Sequence, residues 1–169
     1  MSYMRTRSMY VGNGHALFPY AERVTVLANN LSNAIRFRQR QVLTSVSKPE
    51  SDWSDNEREV MDELAFAIPL MPKKVEMPTK GKSFLSYWTL EKLMRFTQNP
   101  DFFVEGLPKQ TAQHVIKSSV SDMKAYFKAL KEYKKNPAAF TGKPELPGYK
   151  RKGGHTTALF TSQDCILRT

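Results

Sequence analysis

The stretch LPKQTAQHVIKSSVSDMKAYFKALKEYKKNP, Leu107 to Pro137, decides the fold class. Its apolar positions are Ala112, Val115, Ile116, Val120, Met123, Phe127 and Leu130, spaced at threes and fours apart from the adjacent Val115 and Ile116. That spacing predicts an amphipathic helix. Pro108 suits its first position, where a missing N–H costs no hydrogen bond. No glycine or further proline interrupts before Pro137. About 28 residues at roughly 1.5 Å rise make a rod of about 40 Å.

The lysines of this segment are periodic too. Lys117, Lys124, Lys128, Lys131 and Lys135 follow one another at seven, four, three and four. At roughly 100° per residue they fall within about 60° of one another, well away from the apolar stripe. Like charges at i,i+4 repel by a few tenths of a kcal/mol each. With only Glu132 near the row, its expected relief is an external anion. A merely solvated lysine face is the plainer reading of the same pattern.

The next segment, NPAAFTGKPELPGYKRKGG (136–154), is broken by Pro137, Pro144, Pro147 and four glycines, so it is a loop. Tyr149, Lys150, Arg151 and Lys152 place an aromatic ring beside three cations. Such a group suits stacked bases and phosphates. Thr156 to Thr161, TTALFT, is a strand candidate, and Cys165-Ile166-Leu167 a start of its partner.

Upstream, Leu90, Leu93 and Met94 predict a helix from about Tyr87 to Thr97, ended by Asn99-Pro100. Residues 47–82 contain Pro49, Pro69, Pro72 and Pro78 and read mostly as linker. Within them Ser54-Asp55-Asn56-Glu57 is a capping box opening a short helix through Val60, Met61, Leu64 and Ile68. Tyr20, Val24, Leu27, Leu31, Ile35 and Val42 predict a long helix from about Leu17 to about residue 46. On it Arg36 and Arg40 share an expected exposed face. Arg38 falls in the apolar stripe, where it must snorkel, pair or mark the edge of the core. Residues 3–11 alternate as a short strand with Arg5 and Arg7 on its wet face, broken by Gly12-Asn13-Gly14.

Composition narrows the function. The 169 residues suffice for one domain with a real core. No apolar run approaches the roughly 18 residues of a membrane span, and the N-terminus has no secretory h-region. The single cysteine fits a reducing compartment and a cytoplasmic location. With three scattered histidines it makes a zinc site unexpected. No phosphate-binding glycine loop, nucleophile elbow or metalloprotease motif occurs. The acidic residues do not cluster, so neither catalytic residues nor a metal or other cofactor is expected in this chain. The net charge is +10, and it is lopsided. Residues 107–169 hold twelve Lys and Arg against four Asp and Glu, net +8, while residues 1–106 are at +2. A basic third predicts a polyanion partner.

Several stretches resemble the TnpB/OrfB-type transposon proteins. Asn30-Leu31-x-Asn33 with Arg40-Gln41 is similar to their first helix. Leu107-Pro108-x-Gln110-x-Ala112-Gln113 and Phe127-Lys128-Ala129-Leu130-Lys131-x-Tyr133-Lys134-Lys135-Asn136-Pro137 are similar to the two ends of their long helix. Gly142-Lys143-Pro144-x-Leu146-Pro147-x-Tyr149-Lys150-x-Lys152-Gly153-Gly154 is similar to their basic segment, and Phe160-Thr161-x-Gln163 to the next strand. The specific part is 107–163; residues 47–82 match nothing in the family, and Arg38 departs from its apolar pattern.

The family's members are RNA-guided DNA endonucleases of insertion sequences. The resemblance implies an α+β fold: an incomplete wedge-type (OB-like) β-barrel split by an inserted helical recognition lobe, mostly α-helical. Residues 1–15 would be the first barrel strand. Residues 16–140 would be the lobe, with 47–82 as a variable linker. Residues 141–169 would be the basic segment and a truncated return to the barrel. Open edges over 155–169 would make amide exchange there fast. The family's nuclease domain, divalent metal and zinc sites would lie downstream of residue 169.

The implied function is binding of guide RNA and target DNA without hydrolysis. Backbone contacts would come from Lys117, Lys124, Lys128, Lys131 and Lys135 and from Tyr149, Lys150, Arg151 and Lys152. Base readout would come from Arg36, Arg40, Tyr149 and Arg151. A separate chain carrying the nuclease domain would be the partner of an active assembly. The other readings are a relic or regulator of transposition, and a helical protein–protein adaptor with solvated lysines.

Overall fold

Burial of the periodic apolar stripes gives a bundle of four helices. The computed structural model describes residues 10–161. The helices are α1 (Phe18–Ser45), α2 (Asp55–Ala67), α3 (Tyr87–Phe96) and α4 (Lys109–Lys135). They close a ring in which α1 packs on α2 and α4, and α3 packs on the same two helices from the other side. The core draws Leu31 and Ile35 from α1, Val60 and Leu64 from α2, Leu90 and Leu93 from α3, and Ile116 from α4, all with no exposed surface.

Each helix end has a local cause. Pro19 sits in the first turn of α1, and the amide of Leu17 donates to His15 Nδ1 at 3.1 Å. The capping box at Ser54 forms as its spacing predicts, and Ser86 caps α3 by accepting from the Thr89 amide. α3 ends on Gln98, whose φ of 49° lets the amides of Gln98 and Asn99 reach back to the carbonyls of Arg95 and Met94. Pro108 is the residue just before α4 rather than its first helical one, since its backbone is extended.

Arg38 is resolved by pairing. It is 6% exposed, and Nε and Nη2 donate to the two carboxylate oxygens of Glu63 on α2 at 2.8 and 2.6 Å. The same contact fixes α1 and α2 as antiparallel, together with Lys48 against Glu57 at 2.8 Å. Ser32 meets Ser119 and Arg36 meets Asp122, so α1 and α4 run in the same direction.

The expected β-barrel is overturned. The molecule is mainly helical, and the described residues contain no sheet. A lone bridge between Thr79 and Lys82 is their strand-like pairing. Residues 156–161 form no strand and lie against α1 and α4 instead. The Thr156 amide donates to Thr25 O at 3.2 Å, and Thr111 Oγ1 donates to Leu159 O at 2.8 Å. The β-branched run reads as a strand, yet its backbone finds partners on helices, a carbonyl of α1 and a hydroxyl of α4. Most of the expected strand 3–11 and the partner at 165–167 fall outside the described residues.

Candidate nucleic-acid interface

α4 outruns the bundle. Its buried residues end at Met123, so the helix from Lys124 to Lys135 stands clear of the core. This puts the C-terminal part of the lysine row on an exposed rod. Lys117, Lys124, Lys128, Lys131 and Lys135 are all exposed.

The α3 side of the bundle supplies what spacing could not reveal. The ammonium of Lys117 sits 5.3 Å from the centre of the Tyr87 ring, and that of Lys124 sits 6.0 Å from the Phe84 ring. Phe84 in turn meets Phe127 edge to face at 6.2 Å. Rings under the first two cations hold them in place without neutralising them. Lys135 pairs with Glu132 at 3.3 Å, while Lys128 and Lys131 stand in no ion pair among the described residues.

The basic loop is built differently. Residues 147–161 form a strap that runs antiparallel to α1, clamped by side chains on successive turns of that helix. Arg40 Nη1 donates to Pro147 O at 3.3 Å, and Arg36 Nη1 donates to Gly148 O. Asn33 embraces Lys150, donating to its carbonyl at 3.0 Å and accepting from its amide at 2.8 Å. Asn29 Nδ2 donates to Arg151 O at 2.9 Å. His155 Nδ1 lies 2.9 Å from Thr25 Oγ1. Helix side chains therefore satisfy strap backbone groups that a sheet would otherwise pair.

This clamp redistributes the expected site residues. Arg36 is not exposed: the strap covers its face and leaves it 9% accessible, with Nη2 on Asp122 at 2.6 Å. It is a holding residue, with no free fork for a base edge. Arg40 and Tyr149 are brought together, the guanidinium 5.3 Å from the ring centre, and Tyr149 keeps 50% of its surface exposed. Lys150 turns inward, while Arg151 and Lys152 face solvent. Tyr149 and Lys152 border a polar cleft of about 530 Å³ with Asn30, Phe37, Glu59 and Asp101.

The strap and the lysine row occupy different sides of α4. Asp122, which meets Arg36, is about 150° round the helix from the centre of the row at roughly 100° per residue. The chain thus offers two basic surfaces, a ridge along α4 and the strap over α1.

No protein-family model matches the chain, and no curated protein or solved structure is significantly similar to it. Among the described residues no three His, Cys, Asp or Glu gather as a metal ion requires, and no helix is long and apolar enough to cross a membrane. Asn29 and Asn33 are the functional residues that spacing alone did not mark as clamps. Their four-residue separation on α1 was the available signal, and it is shared by many helical asparagines that hold nothing.

Proposed function

We propose that this chain is a nucleic-acid-binding module of the kind found in transposon-encoded RNA-guided nucleases. It grips a structured guide RNA and the backbone of its DNA target, and it works in the cytoplasm. The observation that carries this reading is the α4 ridge: an exposed line of five lysines, two of them seated on aromatic rings, extending beyond the core. The motifs spread over 107–163 resemble those of that family and support this reading. Phosphate contacts by lysine supply affinity without sequence choice. Base discrimination falls to Tyr149 and Arg151 on the exposed edge of the strap, with Arg40 stacked on Tyr149. No hydrolytic step is assigned to these residues; a separate chain bearing the nuclease domain would supply it.

Fluorescence anisotropy of labelled structured RNA and duplex DNA across a salt series tests this. Changing Lys124, Lys128 and Lys131 to alanine is expected to flatten the log–log salt dependence by about two to three units. An unchanged slope would remove the ridge from the account. Binding indifferent to ionic strength would favour the protein–protein adaptor instead.

A further inference from the structure

Between α1, α4 and the strap lies a small cavity of about 110 Å³, walled by Ser32, Val115, Ser118, Lys150, Thr156 and Thr157. Its polar side chains are four hydroxyls and one ammonium, with no carboxylate among them. Ser32 is buried at its floor, and Ser118 and Thr157 are exposed at its rim. A wider opening shares Val115, Ser118 and Thr157 and adds His114, so an imidazole stands at the entrance.

The cavity is held in shape by contacts already described. Asn33 fixes the Lys150 backbone, and the Thr156 amide is tied to α1. Lys150 Nζ donates to Thr156 Oγ1. One turn beyond Ser32, Arg36 brings a second cation close behind the wall, and its buried Nε has no protein partner. Burial pushes the Lys150 ammonium pKa down; the charge of Arg36 adds to this and that of Asp122 opposes it. Two cations therefore crowd one carboxylate, and that carboxylate is already bound by Arg36 at 2.6 Å. Water at roughly 30 Å³ per molecule would fill the space but leave the excess charge in place.

We propose that this cavity binds a tetrahedral oxyanion, either free orthophosphate or the terminal phosphomonoester of a nucleic acid. Such a group accepts hydrogen bonds at each of its oxygens, and the polar side chains around it can all donate. A mid-chain phosphodiester needs two exits for its ester oxygens. The opening beside His114, which shares Val115, Ser118 and Thr157 with the cavity, can admit a group with one substituent or none. The site faces away from the lysine ridge and does not rest on the ridge's function.

The test is amide NMR of the full chain, titrated with inorganic phosphate at constant ionic strength against chloride. Saturating shifts confined to Ser32, Ser118, Thr156 and Thr157 are expected. Lys150→Met should weaken binding about tenfold, the loss of one charge-assisted contact. Ser118→Ala, at the exposed rim, should weaken it several-fold with the fold intact, and it decides alone if Lys150→Met releases the strap. The Lys124, Lys128 and Lys131 alanine variant should bind phosphate unchanged. A short oligonucleotide with and without a 5′-phosphate separates the sources. A preference for the phosphorylated form that Lys150→Met abolishes assigns the site to a terminal monoester. No preference, with inorganic phosphate still saturating, assigns it to orthophosphate. Shifts that chloride reproduces, that spread along α4, or that both cavity variants leave untouched would overturn the proposal.

Discussion

At Glu57 a single carboxylate oxygen serves three donors. Oε2 accepts from the Ser54 amide at 2.7 Å, from the Ser54 hydroxyl at 2.9 Å and from Lys48 at 2.8 Å. Lys48 above all, with Thr44 and Ser54, lowers its pKa from 4.5 to about 2, against the opposing effect of burial. The folded pKa lies below the unfolded one. The stabilisation is therefore fully present above pH 4.5 and is lost as the pH falls towards 2. Glu57→Gln is expected to flatten the acid limb of a stability–pH profile in that window. At neutral pH it should cost about 1–3 kcal/mol, through the weakened cap and the lost charge facing Lys48. An acid limb as steep as the wild type's would show that other carboxylates dominate. Arg38 poses the companion case. Its partner Glu63 keeps 18% of its side chain exposed, so solvent softens the loss of the pair. Arg38→Leu should cost about 2–3 kcal/mol in urea denaturation, and adding Glu63→Leu should recover much of it. No recovery would place the cost in packing. That Arg38 needed a partner was legible from its place in the apolar stripe. Which acid it takes was not, because a partner 25 residues away leaves no mark in local spacing.

The helices were legible as elements because burial acts through a repeated period. α1, α2 and α3 match their predicted spans closely, and α4 ends where Pro137 requires. The strap was not legible, and the reason is physical. TTALFT carries the β-branched residues of a strand, but an extended backbone needs donors and acceptors, and a strand is one of several sources of them. Here Thr25 O accepts from the Thr156 amide and Thr111 Oγ1 donates to Leu159 O, while Asn29, Asn33, Arg36 and Arg40 hold the strap just upstream, all from helices. The same clamp explains why Arg36, expected on an exposed face, is covered. A prediction belongs to this scale. Asn33→Ala removes both bonds to the Lys150 backbone. Hydrogen exchange at the Lys150 amide should then accelerate about tenfold or more, while amides in the middle of α1 and α4 stay protected. An unaccelerated amide would mean that Arg36 and Asn29 hold the strap without it. Residues 155–161 give a related outcome. Fast exchange was expected there for the open edge of a barrel, but the Thr156 amide is bonded to α1 and should exchange more slowly than its exposed neighbours.

For the molecule as a whole the charge asymmetry is both a recognition device and a burden. The excess of cations lies C-terminal to residue 106, and the structure concentrates it on the end of α4 and on the strap rather than spreading it over the bundle. The α4 rod beyond Met123 has only half-buried apolar residues and the Glu132 pair with Lys135 to offset repulsion among Lys124, Lys128, Lys131 and Lys135. Self-repulsion of this kind destabilises the compact state and is screened within about a Debye length, roughly 30 Å at 0.01 M and 8 Å at 0.15 M salt. The melting temperature is therefore expected to rise by about 2–4 °C between those two salt concentrations, as a relief of about 1 kcal/mol implies for a chain of this size. A polyanion at low salt should raise it further, because it binds the folded ridge in preference to the unfolded chain. The triple lysine-to-alanine variant separates the two origins. Lacking the repelling charges, it should melt higher than the wild type at low salt, show a smaller salt response and gain little from the polyanion. If the variant kept the full polyanion effect, the anion would be bound elsewhere, and the strap with Tyr149, Arg151 and Lys152 would become the primary contact.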